Sequence, residues 1–330
     1  MNVLYTCDNN YVWLMGISVI SMFENNTHIR DLTVYLLGEK ISSDNKRLLQ
    51  KIGETYGREI LVVDVPQLDI PEALVSSRWP ISAFLRLFSG QLLPENLNRV
   101  LYLDCDTIIT GDIELLDKVD LQGRVCLGVK DCIGKQYKKN IGLEDNGIYV
   151  NAGVLLLNLE MLRCVRIQEI ISRYMEERLR LINYADQDIL NGIFNGKIGV
   201  LDPKYNVMTI DAVYSHEEIC WLRKPTCFYT EEELKAAVLA PVIIHYTTNM
   251  RVIRPWFANT NHPFASDFRK YFAMSPWNTL ELSQMVFSNR ESKLIGWIEK
   301  LPRKIALRIL GFIHAGLKPR VIRLKAGIRN

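Results

Sequence analysis

The chain has 330 residues, 48% of them hydrophobic and 23% charged, with a formal net charge of +3. That length can bury a sizeable core as one large domain with an appendage, and the composition excludes a disordered chain. The charge is unevenly spread. Residues 291–330 hold ten Lys/Arg against two Glu, a net +8, which leaves −5 on the first 290 residues. An acidic body with a basic tail points to an anionic surface as partner, and nucleic acid is not expected. The seven cysteines are scattered and form no CxxC pair, so neither a zinc site nor a disulfide framework is indicated. Met1-Asn2-Val3-Leu4-Tyr5 has no signal-peptide character, and no apolar run reaches the ~18 residues of a bilayer span, so cytoplasmic residence is the expectation.

In chain order, Asn2–Cys7 reads as a strand, Tyr11–Phe23 as a helix and Leu32–Leu37 as a second strand. Ser43–Tyr56 follows as a helix, with Leu48, Leu49, Ile52 and Tyr56 at helical spacing behind a serine cap. Ile60–Val65 and Val100–Leu103 are buried-type strands, and Ser82–Gly90 is a helix before the latter. Val125–Val129 and Val154–Leu159 extend the sheet, Met161–Arg180 is one long helix, and Pro241–Tyr246 is a last strand. Alternation of this kind predicts βαβ units around a mostly parallel sheet flanked by helices. Residues 1–275 are read as the catalytic domain and 276–330 as a helical basic extension.

The strongest local signal is Val100-Leu101-Tyr102-Leu103-Asp104-Cys105-Asp106-Thr107, a buried strand delivering two carboxylates at its C-terminal end. Ligands of open α/β sheets bind at that end, and side chains at i and i+2 of an extended segment point the same way. Carboxylates suit Mg²⁺ or Mn²⁺; the alternative is a pair of turn aspartates. His245 closes the strand Pro241–His245 at the equivalent end; alone it reads as a hydrogen-bonded core histidine, and only in company with Asp104 and Asp106 does it give an O,O,N donor set that favours Mn²⁺. Asn151-Ala152-Gly153 and Asp186-Gln187-Asp188 are further site material, though a turn and a helix cap with an acidic first turn would explain them equally.

Taken together these segments resemble the family 8 glycosyltransferases, retaining enzymes of GT-A fold that include bacterial lipopolysaccharide galactosyl- and glucosyltransferases. The matching pieces are Thr6-Cys7-Asp8-Asn9-Asn10-Tyr11, Arg86-Leu87, Leu103-Asp104-Cys105-Asp106, Asn151-Ala152-Gly153-Val154, Asp186-Gln187-Asp188-Ile189-Leu190-Asn191 and His245-Tyr246. The resemblance implies that Asp104, Asp106 and His245 hold Mn²⁺ (or Mg²⁺) against the diphosphate of a UDP-hexose, galactose or glucose. It implies a uridine and ribose pocket from Thr6, Asp8 and Asn10, with Cys105 between the acidic pair. Arg86, Asn151, Asp186 and Gln187 would contact the donor sugar, and Asp131 the sugar or acceptor. The acceptor would be an oligosaccharide, glycolipid or glycoprotein of the cell surface. The loop after His245 departs from the pattern: it is longer, lacks the usual glycine and reads Arg254-Pro255-Trp256 where relatives have Lys-Pro-Trp. Arg251 and Arg254 are both candidates for the diphosphate-binding cation. Gln187 is a poor nucleophile, which favours same-face attack over a covalent intermediate.

A haloacid-dehalogenase-like phosphatase also carries Asp-x-Asp after an apolar strand, but its threonine stands two places beyond the second Asp, and here Thr107 follows Asp106 directly. A sugar-nucleotide-binding protein without turnover is the other rival. The tail reads as an amphipathic helix from Pro302, with Ile305, Ile309, Phe312 and Ile313 on one face and Arg303, Lys304 and Arg308 opposite. With Trp297 at headgroup level and Lys318, Arg320, Arg323, Lys325 and Arg329 continuing the charge, it fits a peripheral anchor on the inner membrane face. The alternative is a helix packed on the catalytic domain.

Overall fold

A computed structural model describes residues 1–65, 81–287 and 289–327. Arg329 lies outside them. Among the described residues, ten strands form two sheets. The large one has the order β3 (Glu59–Asp64), β2 (Thr33–Glu39), β1 (Asn2–Asp8), β4 (Arg99–Leu103), β7 (Val150–Asn158), β6 (Cys126–Lys130), β8 (Ile198–Val200). All neighbours are parallel except β7, which runs antiparallel to both β4 and β6. The small sheet has the order β5 (Thr107–Ile109), β10 (Ile243–His245), β9 (Val207–Met208). The fold is the expected α/β architecture, a mostly parallel sheet between helical layers. One apolar cluster, built on the helix Val12–Asn25, covers one face, and a second, with Phe84, Leu85, Phe88 and Ile189, covers the other.

The early elements form where their sequence says. Ser42 caps the helix Ser43–Tyr56 by accepting from the Asn45 N–H, and Gly57 ends it in the left-handed region (φ 60°), which glycine enters without penalty. Two expectations need correction. The segment 161–180 is not one helix: Leu159–Arg163 and Ile167–Arg178 are separate. Arg163 donates to the carbonyls of Gly90, Pro94 and Leu97, and the bare Gly90 backbone lies against Leu162, so packing fixes the short helix and overrides the periodicity. In addition, β7 starts at Val150, so Asn151-Ala152-Gly153 belongs to the strand and is not a turn entering it.

Residues 276–287 follow the body: Trp277 is buried against Gly16, and the Ala258 N–H bonds the Ser283 carbonyl. The tail helices are Arg290–Ile298, Arg303–Gly311 and Lys318–Lys325, the last two joined by a π-helical turn at Phe312–Leu317. Pro302 stands at the cap position before its helix. The buried face of Arg303–Gly311 is Ala306, Leu307, Leu310 and Gly311; it packs on the helix His216–Arg223, with Gly311 so close that a Cβ would meet the Trp221 carbonyl. Of the stripe expected to face lipid or to pack on the domain, Ile305, Ile309 and Phe312 are 50%, 37% and 59% exposed and Ile313 is half-buried. No described helix is long and apolar enough to cross a membrane.

Asp211, in the short helix after β9, shows what enclosure costs. Its Oδ2 accepts the Met208 N–H at 3.1 Å while its buried Oδ1 has no described partner. Burial, opposed by that hydrogen bond and reinforced by Asp131, pushes its pKa up to about 7. Between pH 4 and 7 the unfolded chain therefore ionises this group while the folded chain keeps its proton, so folded stability falls as pH rises. Asp211→Asn keeps the acceptor and removes the titration. In chemical denaturation the variant should gain on the wild type across that interval, by roughly 4 kcal/mol at pH 8.

Candidate active site

The large sheet delivers Asp8 and Asp104 at the carboxyl ends of the parallel neighbours β1 and β4, where the crevice of such a sheet opens. Asp104 follows the last residue of β4; Cys105 and Asp106 form a turn into β5. The two carboxylates thus converge through a turn and not through strand alternation, the mechanism expected from the sequence. Pairing of His245 with Thr107 in the β10–β5 ladder then brings the imidazole over them. His245 Nε2 stands 3.2 Å from Asp106 Oδ1 and 3.7 Å from Asp104 Oδ2, and one donor atom from each residue lies within 4.8 Å of the others. Asn206 Oδ1 is 3.0 Å from His245 Nδ1, so Nδ1–H donates there and Nε2 is the nitrogen turned toward the carboxylates. Two carboxylate oxygens and that imidazole nitrogen at this spacing fit a divalent cation.

Arg86, from the helical run 81–92, supports the carboxylates from within. Its Nη2 is 2.9 Å from Asp104 Oδ1 and its Nε is 3.0 Å from Asp186 Oδ2, an ion pair without hydrogen-bond alignment because Nε donates to the Ala83 carbonyl. Nη1 donates to the Ala152 carbonyl, and the guanidinium lies 4.2 Å from the Tyr102 ring centre. Tyr102 donates its hydroxyl to Asp104 Oδ1 at 2.6 Å. Asp186 is pushed up to about 6, by burial first, with Arg86 pulling it down and Asp104 raising it. Burial also raises Asp106, but His245 and Arg254 outweigh it and hold the carboxyl below its usual range. His245 is raised by the two aspartates against the effect of burial.

A second set of groups centres on Gln187. Its Oε1 accepts from the Ala152 N–H and from Asn151 Nδ2, both at 3.1 Å; its Nε2 donates to Asp131 Oδ2 at 2.9 Å and to Tyr149 Oη at 3.0 Å. Asn151 Oδ1 accepts from Gly153 N–H and Asn206 Nδ2, both at 2.9 Å, which ties this set to His245 through Asn206. Asp188 reaches back from within the helix Ala185–Ile193 to the chain before it: its Oδ2 accepts from the Asn183 and Tyr184 N–H groups, while the cap residue Tyr184 makes no side-chain cap bond.

Thr6, Asp8, Arg86, Asp104, Cys105, Asp106 and Arg254 line one cavity of about 230 Å³, together with Tyr11 from the end of the Thr6–Tyr11 segment. Asn10 is exposed beside it, its backbone N–H bound to Asp8 Oδ1 at 2.8 Å. Asp131, Asn151 and Gln187 line a neighbouring cavity of about 240 Å³. Of the two arginines after His245, Arg254 reaches within 3.9 Å of Asp106 Oδ2, whereas Arg251 faces away, 3.6 Å from Glu299 and 5.1 Å from the Phe287 ring. Trp256 sets this arrangement by packing at 6.3 Å on Tyr246 and 6.0 Å on Phe268. Asn206, Tyr102 and Tyr149 escaped the sequence reading; a single Asn, or a Tyr in an apolar strand, carries no local signal of a polar partner.

Gly153 is the tightest point. A Cβ there would lie 2.1 Å from His245 Cε1 and 2.8 Å from Asp104 Oδ2. Gly153→Ala must displace both donors, so Mn²⁺ affinity measured by calorimetry should fall at least roughly tenfold, as for loss of a ligand's support. Unchanged affinity would show that the three donors do not act on one ion.

Residues 2–260 match the profile of glycosyl transferase family 8. Among curated relatives, General stress protein A of Bacillus subtilis (strain 168) is 25% identical over 283 residues, 85% of this chain and 96% of that one. Lipopolysaccharide 1,2-glucosyltransferase of Escherichia coli (strain K12) is 28% identical over 280 residues, 84% of this chain and 79% of its own. The crystal structure of galactosyltransferase LgtC with donor and acceptor sugar analogs superposes with a TM-score of 0.70 at 23% identity, covering 85% of this chain and 98% of that one. With the profile spanning most of its length and the fold in agreement, this chain belongs to glycosyl transferase family 8.

Proposed function

We propose that the chain is a retaining transferase that moves a hexose, galactose or glucose, from a UDP-sugar to a glycan or glycolipid acceptor with Mn²⁺. The observation that carries this reading is the convergence of Asp104, Asp106 and Nε2 of His245 beside the buried Arg86–Asp186 pair. Those three residues would hold the cation, which when bound neutralises charge on a departing diphosphate. Arg254 is the arginine positioned to grip that diphosphate. Thr6 and Asp8 open into the same cavity and suit the nucleoside, with Asn10 at its rim. Asp186, Arg86, Asn151 and Gln187 would read the sugar hydroxyls, and Asp131 the hydroxyls at the junction with the acceptor. Gln187 engages all its hydrogen-bonding atoms in the protein, which supports same-face attack by the acceptor over a covalent route through its amide.

The test is UDP release from a panel of UDP-sugars with Mn²⁺. EDTA should abolish it, Mn²⁺ should restore it better than Mg²⁺, and Asp106→Asn should lower kcat by roughly 100-fold or more while leaving the melting temperature close to wild type. Full activity in EDTA, or phosphate release from a simple phosphomonoester without any sugar nucleotide, would overturn the assignment.

We further propose that the extension after the catalytic unit rests on an anionic membrane, the inner face of the cell membrane. Trp297, Ile305, Phe312 and Leu324 are 71%, 50%, 59% and 68% exposed, interleaved with the exposed Lys300, Lys304, Arg308, Lys318, Arg320 and Lys325. Each basic residue near such a surface contributes about 1 kcal/mol. Arg303 and Arg323 are committed to the body, through Glu218 and Asn140. Deleting the tail would uncover the helix His216–Arg223, so point changes are the cleaner probe. Trp297→Ser with Phe312→Ser should reduce cosedimentation with anionic liposomes severalfold, and added salt should reduce it further. Binding that ignores both changes would rule out this surface.

A further inference from the structure

The cavity lined by Gln187 and Asn151 has a wall that neither the cation site nor the donor groups account for. Arg223, the last residue of the helix His216–Arg223, opens onto it, and so does Asn249. Neither lines the cavity that holds Asp104 and Asp106. No described carboxylate forms an ion pair with Arg223. Its Nη1 meets the ring of His314 from the tail, 2.7 Å to Nε2 and 3.2 Å to Nδ1, and its buried Nε has no described partner. Burial, then the charges of Arg223 and Lys318, keep His314 neutral, so it positions the guanidinium without discharging it. The nearby Asp131 raises Arg223 through the field but spends its Oδ2 on Gln187 and Asn151. Asn249 is 2% exposed, and neither its amide nitrogen nor its amide oxygen has a described partner.

A half-buried guanidinium with a buried, unpartnered Nε and no direct ion pair, beside a buried amide without described partners, is uncommon in native proteins, and such groups persist where a ligand completes them. A guanidinium fixed at one nitrogen still presents a donor fork matched to a planar or tetrahedral oxyanion, and an amide reads a hydroxyl as donor and acceptor together. Such an amide beside a sugar-sized cavity fits a sugar ring. Resting on the transferase reading above, we propose that the acceptor sugar bears an oxyanion, a carboxylate or a phosphate, that Arg223 holds it in this cavity, and that Asn249 reads an adjacent hydroxyl. Arg223 is then the residue that sets acceptor selectivity, while the donor is held by the neighbouring cavity.

The experiment measures kcat/KM with one donor and three acceptors: a neutral hexoside, the matching hexuronoside and the matching hexoside 6-phosphate. Wild type should prefer at least one charged acceptor over the neutral one, and which one separates carboxylate from phosphate. Arg223→Gln should reduce that preference by roughly 10- to 100-fold, the range for losing a charge-assisted hydrogen bond, and Arg223→Lys should keep part of it. A wild-type preference for the neutral acceptor, or an equal loss on all three, would overturn the proposal. Calorimetric titration of the two charged sugars into the UDP-saturated protein gives a readout that needs no turnover. If no UDP-sugar is turned over, the transferase reading fails, yet binding that weakens in Arg223→Gln still upholds the oxyanion site. Absence of binding in wild type refutes it. Should Arg223→Gln fail to bind UDP, Asn249→Ala and Arg223→Lys carry the same comparison, and unchanged selectivity in both counts against the site.

Discussion

Asp104 and Asp186 are drawn together in one small, largely buried volume beside Asp106, and one buried guanidinium makes their closeness tolerable. Arg86 touches both directly, stacks on Tyr102 and fixes a β7 carbonyl. Without it, burial and mutual repulsion would drive the aspartates to take up protons or splay apart. Asp186 already sits near the limit, pushed up to about 6 with the arginine in place. Arg86 is thus both a wall of the site and the counter-charge that allows the site to exist. Asp106, beyond its reach, depends instead on His245 and Arg254.

The polar groups on the other side are organised by saturation. Gln187 makes four hydrogen bonds, and Asn151 is held through both amide atoms, so neither side chain has rotational freedom. A network this complete polarises its members and fixes their orientation before any ligand arrives. Asn206 connects it to His245, so the imidazole tautomer and the amide orientations are set by one continuous chain of contacts.

Much of this was legible in the chain itself. The parallel order of β1, β2 and β3 follows from buried runs alternating with capped helices, and the acidic pair after β4 and the histidine ending β10 announce themselves at strand ends. The illegible parts depend on contacts distant in sequence. Asn206 matters only because β9 lies beside β10, and Gly153 only because His245 is stacked against it. The break between Leu159–Arg163 and Ile167–Arg178 follows from Arg163 binding the 90–97 segment. In the tail, amphipathic spacing identified the helix and its outward apolar stripe, but not the face that docks, because Gly311 and Ala306 allow close approach that larger side chains forbid. Periodicity weighs hydrophobicity, whereas docking here is decided by small size.

The β5–β10 ladder joins Ile109 to Ile243 across a separation of more than a hundred residues. Closing so long a loop is entropically slow, and the pairing cannot begin before β10 has been synthesised. An emerging chain can therefore assemble β1, β2 and β3 from local contacts while Asp104 and Asp106 still lack their nitrogen donor. Completion of the cluster of Asp104, Asp106 and His245 and completion of the small sheet therefore become the same late event.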